Sequence, residues 1–379
     1  MNILIIPSWY STSDNPTNGS FFKEQAEALK ESGNNVIVAF VEVRLLSKTN
    51  KKEKVQIIND NGIKTYRIIQ GKIPKTGNVG TAIAFKQGMK KIYREIKLNE
   101  KIDLVHLHSC IWGGLSGVYI TKKLSVPFII TEHSSYYGRF KVNLIEKQLI
   151  KYSLKKADKV IAVSNYLKEI LLKHYNGDIE VVPNMVDCSQ FLEAKVNKSN
   201  NKKFSFLSLC YLKKNKRVDI LIEAFSKYFK SENAQLIIAG DGPERLALEK
   251  LATDLNIKDK VIFKGSLSRE EVKVEMNKCN LFVLSSVFET FGVVLIEALS
   301  SGKPVVSTKN GGANDIVNDL NGVLANIEDS DDLGAKMHYM YINYDNYNSI
   351  TIREDCINRY SKDIIIQKLI NIYSQTICK

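Results

Sequence analysis

Residues 285–307 read SSVFETFGVVLIEALSSGKPVVS, and two acids in this stretch are spaced to do chemistry. Glu289 and Glu297 bracket Phe291, Gly292 and Val293, and an apolar run that reads as a helix opens at Val293. Backbone N–H groups at such a helix start are unpaired and lie at the positive end of the dipole, where phosphate binds. Gly292 lets the backbone approach a ligand closely, because it has no Cβ. A carboxylate just outside the helix, Glu289, can accept hydrogen bonds from sugar hydroxyls. One deeper in the helix, Glu297, can grip the vicinal diol of a ribose. Taken without their surroundings, the two acids are better read plainly, as an N-terminal acid and a solvated helix acid.

Other constellations carry less. His108 and His133 each follow a strand end and could line a cleft, although either alone reads as a core or edge histidine. GDGPER approaches the dinucleotide glycine fingerprint, but Arg245 stands at its third glycine, and no such pattern follows the first strand. A Walker loop ending at Gly302-Lys303 would need a glycine where Glu297 stands, and Pro304 takes the Ser/Thr place. Asp329-Ser330-Asp331 could hold a divalent metal. Its position before a helical stretch, Leu333–Met340, makes it a helix N-cap instead, so no metal or other cofactor is expected in the chemistry.

The elements that must position these residues alternate. Strand candidates are Ile3–Ile6, Val36–Val41, Leu104–Leu107, Pro127–Thr131 and Lys159–Val163, with helical segments between them such as Phe21–Glu31, closed by Gly33, and Val142–Lys155. A break follows Asp187, and the polar run KVNKSNNKK at 195–203 reads as a linker. The alternation then restarts with strand Phe204–Leu209, helix Val218–Phe229, strand Gln235–Ala239 and helix Glu244–Leu255; Ser268 with Glu271 forms a capping box that opens a further helix. Alternation of this kind implies parallel sheets flanked by helices. The expected fold is α/β, two doubly wound Rossmann-like domains facing across a cleft. Residues 1–194 form the acceptor-side domain and 204–361 the nucleotide-sugar-binding domain, with helix 362–379 packing back on the first. Ligands in such folds sit beyond the carboxyl ends of the strands.

In this context residues 285–307 resemble the E-x7-E motif of glycosyltransferase family 4, retaining enzymes of the GT-B fold. The resemblance runs nearly the whole length, through IIPSWYSTSDNPTNGSFFKEQAEALKESG, DLVHLH with TEHSSYYGR, VVPNMVD (Met185 at the family's usual glycine), KKNKRVDILIEAF, IAGDGPER and GGANDIV. It implies that Glu297 contacts the donor ribose and Glu289 the transferred sugar or its phosphate side, with the backbone of Phe291, Gly292 and Val293 cradling them. It implies that Lys216 neutralises the leaving diphosphate, that Gly19 lets the first loop touch the phosphates, and that Gly240, Gly242 and the backbone at Ser266 belong to the donor site. His108 matches an active-site histidine and His133 lies on a neighbouring loop. One departure is Tyr211, where many members carry an arginine five residues before the lysine; Lys213, Lys214 or Arg217 could supply the missing charge.

Composition fits this reading. With 379 residues, 44% of them hydrophobic, the chain can bury two cores. Its six scattered cysteines form no C-x-x-C pair and read as reduced thiols of the cytosol. The start is a first strand and not a signal peptide, and no apolar run reaches 18 residues, so a cytoplasmic protein is expected. The net charge of +13 favours anionic partners: a UDP- or GDP-sugar donor, a glycan or lipid-linked acceptor, and reversible contact with the inner face of an anionic membrane through the basic amphipathic segments 82–97 and 141–156. The expected activity is retaining, metal-independent sugar transfer in cell-surface polysaccharide synthesis. Two other readings stand beside it: a sugar-nucleotide epimerase of the same shape, and a nucleic-acid-binding protein. Against the last, the basic residues show no interleaved aromatic platform, and no nucleic acid is expected as a partner.

Overall fold

The computed structural model describes residues 1–11, 18–46, 54–134, 136, 143–191 and 203–378. The chain divides into two compact units, Met1–Asn184 with Ile365–Lys379, and Met185–Ile364. The boundary falls ten residues ahead of the one expected from the polar run, of which only Lys203 is described. Residues after Asn184 belong to the second unit for a packing reason. Phe191 is fully buried, the Arg353 guanidinium donates to its carbonyl at 2.6 Å and to that of Cys188 at 2.7 Å, and Val186 bridges to Ser361.

The first unit is an eight-stranded sheet in the order β3-β4-β2-β1-β5-β6-β7-β8. Its strands are β1 (Asn2–Pro7), β2 (Asn35–Leu45), β3 (Gln56–Asp60), β4 (Ile63–Lys72), β5 (Leu104–His108), β6 (Phe128–Glu132), β7 (Lys159–Ala162) and β8 (Ile179–Val181). All pairs are parallel except β3 with β4. That hairpin was absent from the sequence reading. It turns on Asn61-Gly62, both with positive φ (51° and 80°), as a tight two-residue turn requires. The central strands are continuous apolar runs because helices cover both faces.

Helices of this unit are α1 (Ser20–Glu31), α2 (Gly77–Asn99), α3 (Cys110–Leu124), α4 (Leu144–Lys156) and α5 (Asn165–Leu172). The end of α1 is a Schellman motif at Gly33: the Gly33 N–H donates to Lys30 and the Asn34 N–H to Leu29. α3 lies close to the sheet because it carries small residues there; a Cβ on Gly117 would stand 2.4 Å from the Phe128 ring.

The second unit is a six-stranded parallel sheet, β11-β10-β9-β12-β13-β14. Its strands are β9 (Phe204–Leu209), β10 (Ala234–Ala239), β11 (Val261–Gly265), β12 (Leu281–Leu284), β13 (Val305–Thr308) and β14 (Gly322–Ala325). Helices α6 (Val218–Phe229), α7 (Arg245–Asp254), α8 (Arg269–Lys278), α9 (Val293–Ser300), α10 (Ser330–Ile342) and α11 (Ser349–Tyr360) connect and cover them. α6 packs Phe225 and Phe229 on Phe206 of β9 at the centre of the core. Strand order reverses between β9 and β12, and likewise between β1 and β5 in the first unit. The loops that leave those strands are where doubly wound sheets hold ligands.

Two caps expected from the sequence are present. Ser268 and Glu271 form the capping box of α8, worth about 1 kcal/mol. Asp329 accepts the N–H groups of Asp331 and Asp332 at the start of α10, while Asp331 pairs with Lys227. The D-x-D sequence is thus a helix start. A last helix, α12 (Lys362–Ile377), joins the first unit from Ile365 onward and buries Ile365, Ile366, Leu369 and Tyr373. No helix of the described residues is long and apolar enough to cross a membrane.

Candidate functional site

Lys216 ends a short turn, Lys214–Lys216, beyond the carboxyl end of β9. The loop after β12 fixes that turn, because the Ser285 hydroxyl donates to the Lys216 carbonyl at 2.8 Å and the Val287 N–H to that of Asn215 at 3.0 Å. The same loop then delivers Glu289. Lys216 Nζ donates to Glu289 Oε1 at 2.5 Å, with the side chains 17% and 15% exposed. Two residues 73 positions apart therefore meet at the switch point of the second sheet.

The Glu289 backbone is held from the other side by the GGANDIV loop. Its N–H donates to the Asn310 carbonyl at 2.9 Å, and the Gly312 N–H donates to its carbonyl at 3.0 Å. Gly312 is required there, since a Cβ would stand 2.2 Å from the Phe291 carbonyl oxygen. Phe291 is buried against the Tyr360 ring. Gly292 (φ 113°, ψ 62°) precedes α9 in a conformation that favours glycine, and no side chain caps this helix.

Glu297 lies in α9 and is 3% exposed. It is not a solvated helix acid: its carboxylate is paired with Arg269 at the start of α8. Burial pushes its pKa up, and the Arg269 charge and hydrogen bond pull the other way. Arg269 was missed in the sequence, where SREE signals a helix start and nothing more.

The glycines of the β10 loop act through backbone contact. A Cβ on Gly240 would lie 1.8 Å from the Cys210 carbonyl oxygen, and one on Gly242 2.3 Å from that of Leu212. The loop after β10 thereby packs directly on the loop that carries Lys216. Ser266 is exposed just after β11, next to Gly265, whose carbonyl accepts the Gly240 N–H at 2.7 Å. Tyr211 is 61% exposed, with Lys213 over its ring at 5.9 Å. Arg217 turns to Asp219 and Glu328, and so is committed elsewhere than to Lys216.

In the first unit, Gly19 (φ 72°) precedes α1, and a Cβ there would stand 3.0 Å from the Trp9 carbonyl oxygen. His108 and His133 are brought together, Nδ1 of the first 3.0 Å from Nε2 of the second. They do not stand on an open surface: His108 is 0% and His133 7% exposed, because Phe22 of α1 covers both rings, at centroid distances of 4.8 and 4.9 Å. Burial pushes the His133 pKa down to about 3, with the Asn184 side chain opposing, and holds that of His108 well below the usual range. Both rings are therefore neutral near pH 7. Among the described residues, buried His108 Nε2 has no hydrogen-bond partner. Ser109, the next residue, has φ 67° and ψ 127°, a strained backbone held by the Ser8 hydroxyl on its carbonyl at 2.5 Å. Two further residues were missed. His106 bridges Thr131 and Tyr373 of α12, each at 2.7 Å. Glu132 is fully buried and accepts the N–H groups of Cys110, His133 and Ser134.

The basic segments are corrected in part. Phe85 and Ile92 of α2 are core residues with no exposure, so the apolar side of that helix faces the protein. Ile83, Leu144 and Ile145 are exposed at 48%, 77% and 61%; Lys141 and Val142 lie outside the described residues. Between α2 and α3, a groove of about 610 Å³ is lined by Lys90, Tyr93, Arg94, Lys97, Tyr119 and Lys123.

The two parallel-sheet α/β domains are those of the GT-B fold. The chain matches the family model described as glycosyl transferases group 1 over residues 189–358, and the one described as glycosyltransferase family 4 over residues 19–190. It belongs to the group 1 glycosyltransferases, with a family 4 N-terminal half. An uncharacterized glycosyltransferase of Methanocaldococcus jannaschii is 32% identical over 249 residues, 65% of this chain and 68% of that protein. The alpha-monoglucosyldiacylglycerol synthase of Streptococcus pneumoniae is 29% identical over 247 residues, 59% of this chain; the match spans 56% of that relative's length. Among solved structures, the Anabaena protein HepE in complex with UDP superposes with a TM-score of 0.77 at 18% identity, over 99% of this chain and 100% of that one.

Proposed function

We propose that the enzyme takes a sugar from a UDP- or GDP-linked donor and transfers it, with retention of configuration, to a hydroxyl of a glycan or lipid-linked acceptor in cell-surface polysaccharide synthesis. The observation that carries the reading is the Lys216–Glu289 pair at the switch point of the second sheet, one helix start away from Glu297. The UDP bound by HepE and the diacylglycerol product in the name of the streptococcal synthase agree with it.

The roles follow from charge. When the anomeric C–O bond breaks, negative charge grows on the β-phosphate; Lys216 and the open N–H groups before α9 oppose it. Glu289 then exchanges Lys216 for the hydroxyls of the transferred sugar. Glu297 accepts from the ribose diol. Neither acid acts as nucleophile, because both belong to the donor unit. The departing phosphate oxygen takes the acceptor's proton on the face it leaves, which gives retention. Neutral His108 and His133 position the acceptor side without holding a proton charge. The exposed apolar residues Ile83, Leu144 and Ile145, with the cations of α2 and α4, would rest the enzyme on the cytoplasmic side of an anionic membrane.

Thermal-shift screening of wild-type protein and Glu297→Ala against UDP-, GDP- and ADP-sugars tests the reading. One nucleotide series should raise the wild-type Tm and leave the variant's unchanged. A panel that shifts neither would refute it.

A further inference from the structure

We propose that Arg269 is a positioning residue of the donor site, whose guanidinium, clamped between the Glu297 carboxylate and the Phe191 ring, holds that acid as an anion aimed at the ribose diol. The proposal rests on the reading of Glu297 as a ribose ligand. No role for Arg269 follows from the E-x7-E spacing, because Arg269 lies outside that motif, at the start of another helix.

Glu297 is 3% exposed, so its charge has lost nearly all hydration. A carboxylate in that position either finds a cation or takes up a proton. As a neutral acid it would offer one donor and would accept poorly from two hydroxyls. Arg269 supplies the cation. Its guanidinium carbon also lies 5.7 Å from the centroid of the Phe191 ring. Phe191 is itself fully buried, and its carbonyl accepts from Arg353 of α11, whose guanidinium also donates to the Ser300 carbonyl at the end of α9. The Ser300 and Ser301 hydroxyls donate to the Glu297 carbonyl at 2.8 and 3.1 Å. Carboxylate, guanidinium and ring thus stand on three elements fixed to one another.

The other groups near Glu297 do not replace Arg269. From α11, Arg353 is spent on carbonyls, and the Cys356 thiol meets the Ile296 carbonyl. From the 188–191 turn, Cys188 donates to Val186. Strands β12 and β13, LFVL and VVST, carry no titratable side chain. Burial already raises the Glu297 pKa, and Arg269 is the charge that opposes it. Deleting that charge moves the pKa further up. The anion is then lost at a higher pH as pH falls, and regained at alkaline pH.

The test is nucleotide binding by calorimetry between about pH 6 and pH 9, with UDP, GDP and their 2′-deoxy forms as probes. In wild-type protein the nucleotide that binds should prefer ribose over 2′-deoxyribose by about tenfold or more across this range, as expected of a hydrogen bond to a charged group. In Arg269→Gln the preference should collapse to within about threefold near pH 6 and recover toward pH 9. Arg269→Lys should retain most of it. Glu297→Ala should lack it at every pH. A pH-independent ribose preference in Arg269→Gln, with Glu297→Ala lacking it, would overturn the role of Arg269 alone. Full ribose preference in Glu297→Ala would overturn the ribose assignment, and the inference with it. A role in folding alone would lower the Tm of Arg269→Gln without making its ribose preference depend on pH.

Discussion

Replacing Lys216 by Met removes a charge and keeps the length of the side chain, and its consequences divide into two measurements. The pair with Glu289 is a short charge-assisted contact, 2.5 Å between side chains that are 17% and 15% exposed. Losing such a bond costs about 1.5–3 kcal/mol. In a unit of this size each kcal/mol moves the Tm by about 2–4 °C, so Lys216→Met should melt about 3–12 °C lower. In the double variant Lys216→Met/Glu289→Gln, the side chain at 289 is neutral and needs no cation, and most of that Tm should return. Turnover should not follow. The leaving diphosphate has lost its lysine in both proteins, and kcat should fall by about a hundredfold or more in each. Scanning calorimetry and a nucleotide-release assay at saturating donor separate the two effects. Turnover that returned together with the Tm in the double variant would refute the leaving-group role. So would equal small losses at Lys213, Lys214 and Lys216, which would mean that the whole loop shares the charge.

The neighbours of Lys216 give a second expectation. Lys213→Ala and Lys214→Ala should lower kcat by no more than about threefold, since Lys213 rests on the Tyr211 ring and Lys214 is exposed; Tyr211→Arg should remain active, as judged by the same assay. A third concerns the membrane: wild-type protein should co-sediment with anionic vesicles at low salt and Leu144→Asp/Ile145→Asp should not, because both side chains are exposed and uncovered burial drives such docking. Failure of the wild type to bind at low salt would remove membrane contact from the functional reading.

What the sequence disclosed about the fold was local. Apolar runs of four to six residues alternating with helix-length segments placed β1, β2, β5, β6, β7, β9 and β10 and helices such as α1, α4, α6 and α7, because buried parallel strands and amphipathic helices differ in period and length. The Asn61-Gly62 hairpin broke that expectation. β3 is an exposed antiparallel edge strand, attached where a parallel crossover scheme has no place for it. The dipeptide alone could have revealed it. The polar run at 195–203 stands ten or more residues past the division at Asn184, and ownership of residues 185–191 was not legible. Arg353 decides it from 162 positions away, and composition near the break carries no trace of that contact.

The site divides along the same line. Glu289, Gly292 and Glu297 are readable because their relation is internal to one loop and helix, where spacing fixes geometry. The groups that set their charge come from other strands of the sheet. Lys216 leaves β9 and Arg269 follows β11, and each reaches its acid because strand order in a doubly wound sheet brings their loops to one edge. Lys216 could be found through a family pattern. Arg269 could not, since its local sequence announces only a capped helix, and the demand it answers, a buried carboxylate needing a cation, exists only once α9 is packed. The same holds for the histidines. Their strand-end positions were visible, but their neutrality is not a property of those positions; it follows from Phe22 lying over them, a residue of α1 brought there by the pairing of β1 with β5. Burial thus pushes the pKa of Glu297 up and those of His108 and His133 down. A reading that stops at the motif therefore finds Glu297 and misses the Arg269 cation paired with it.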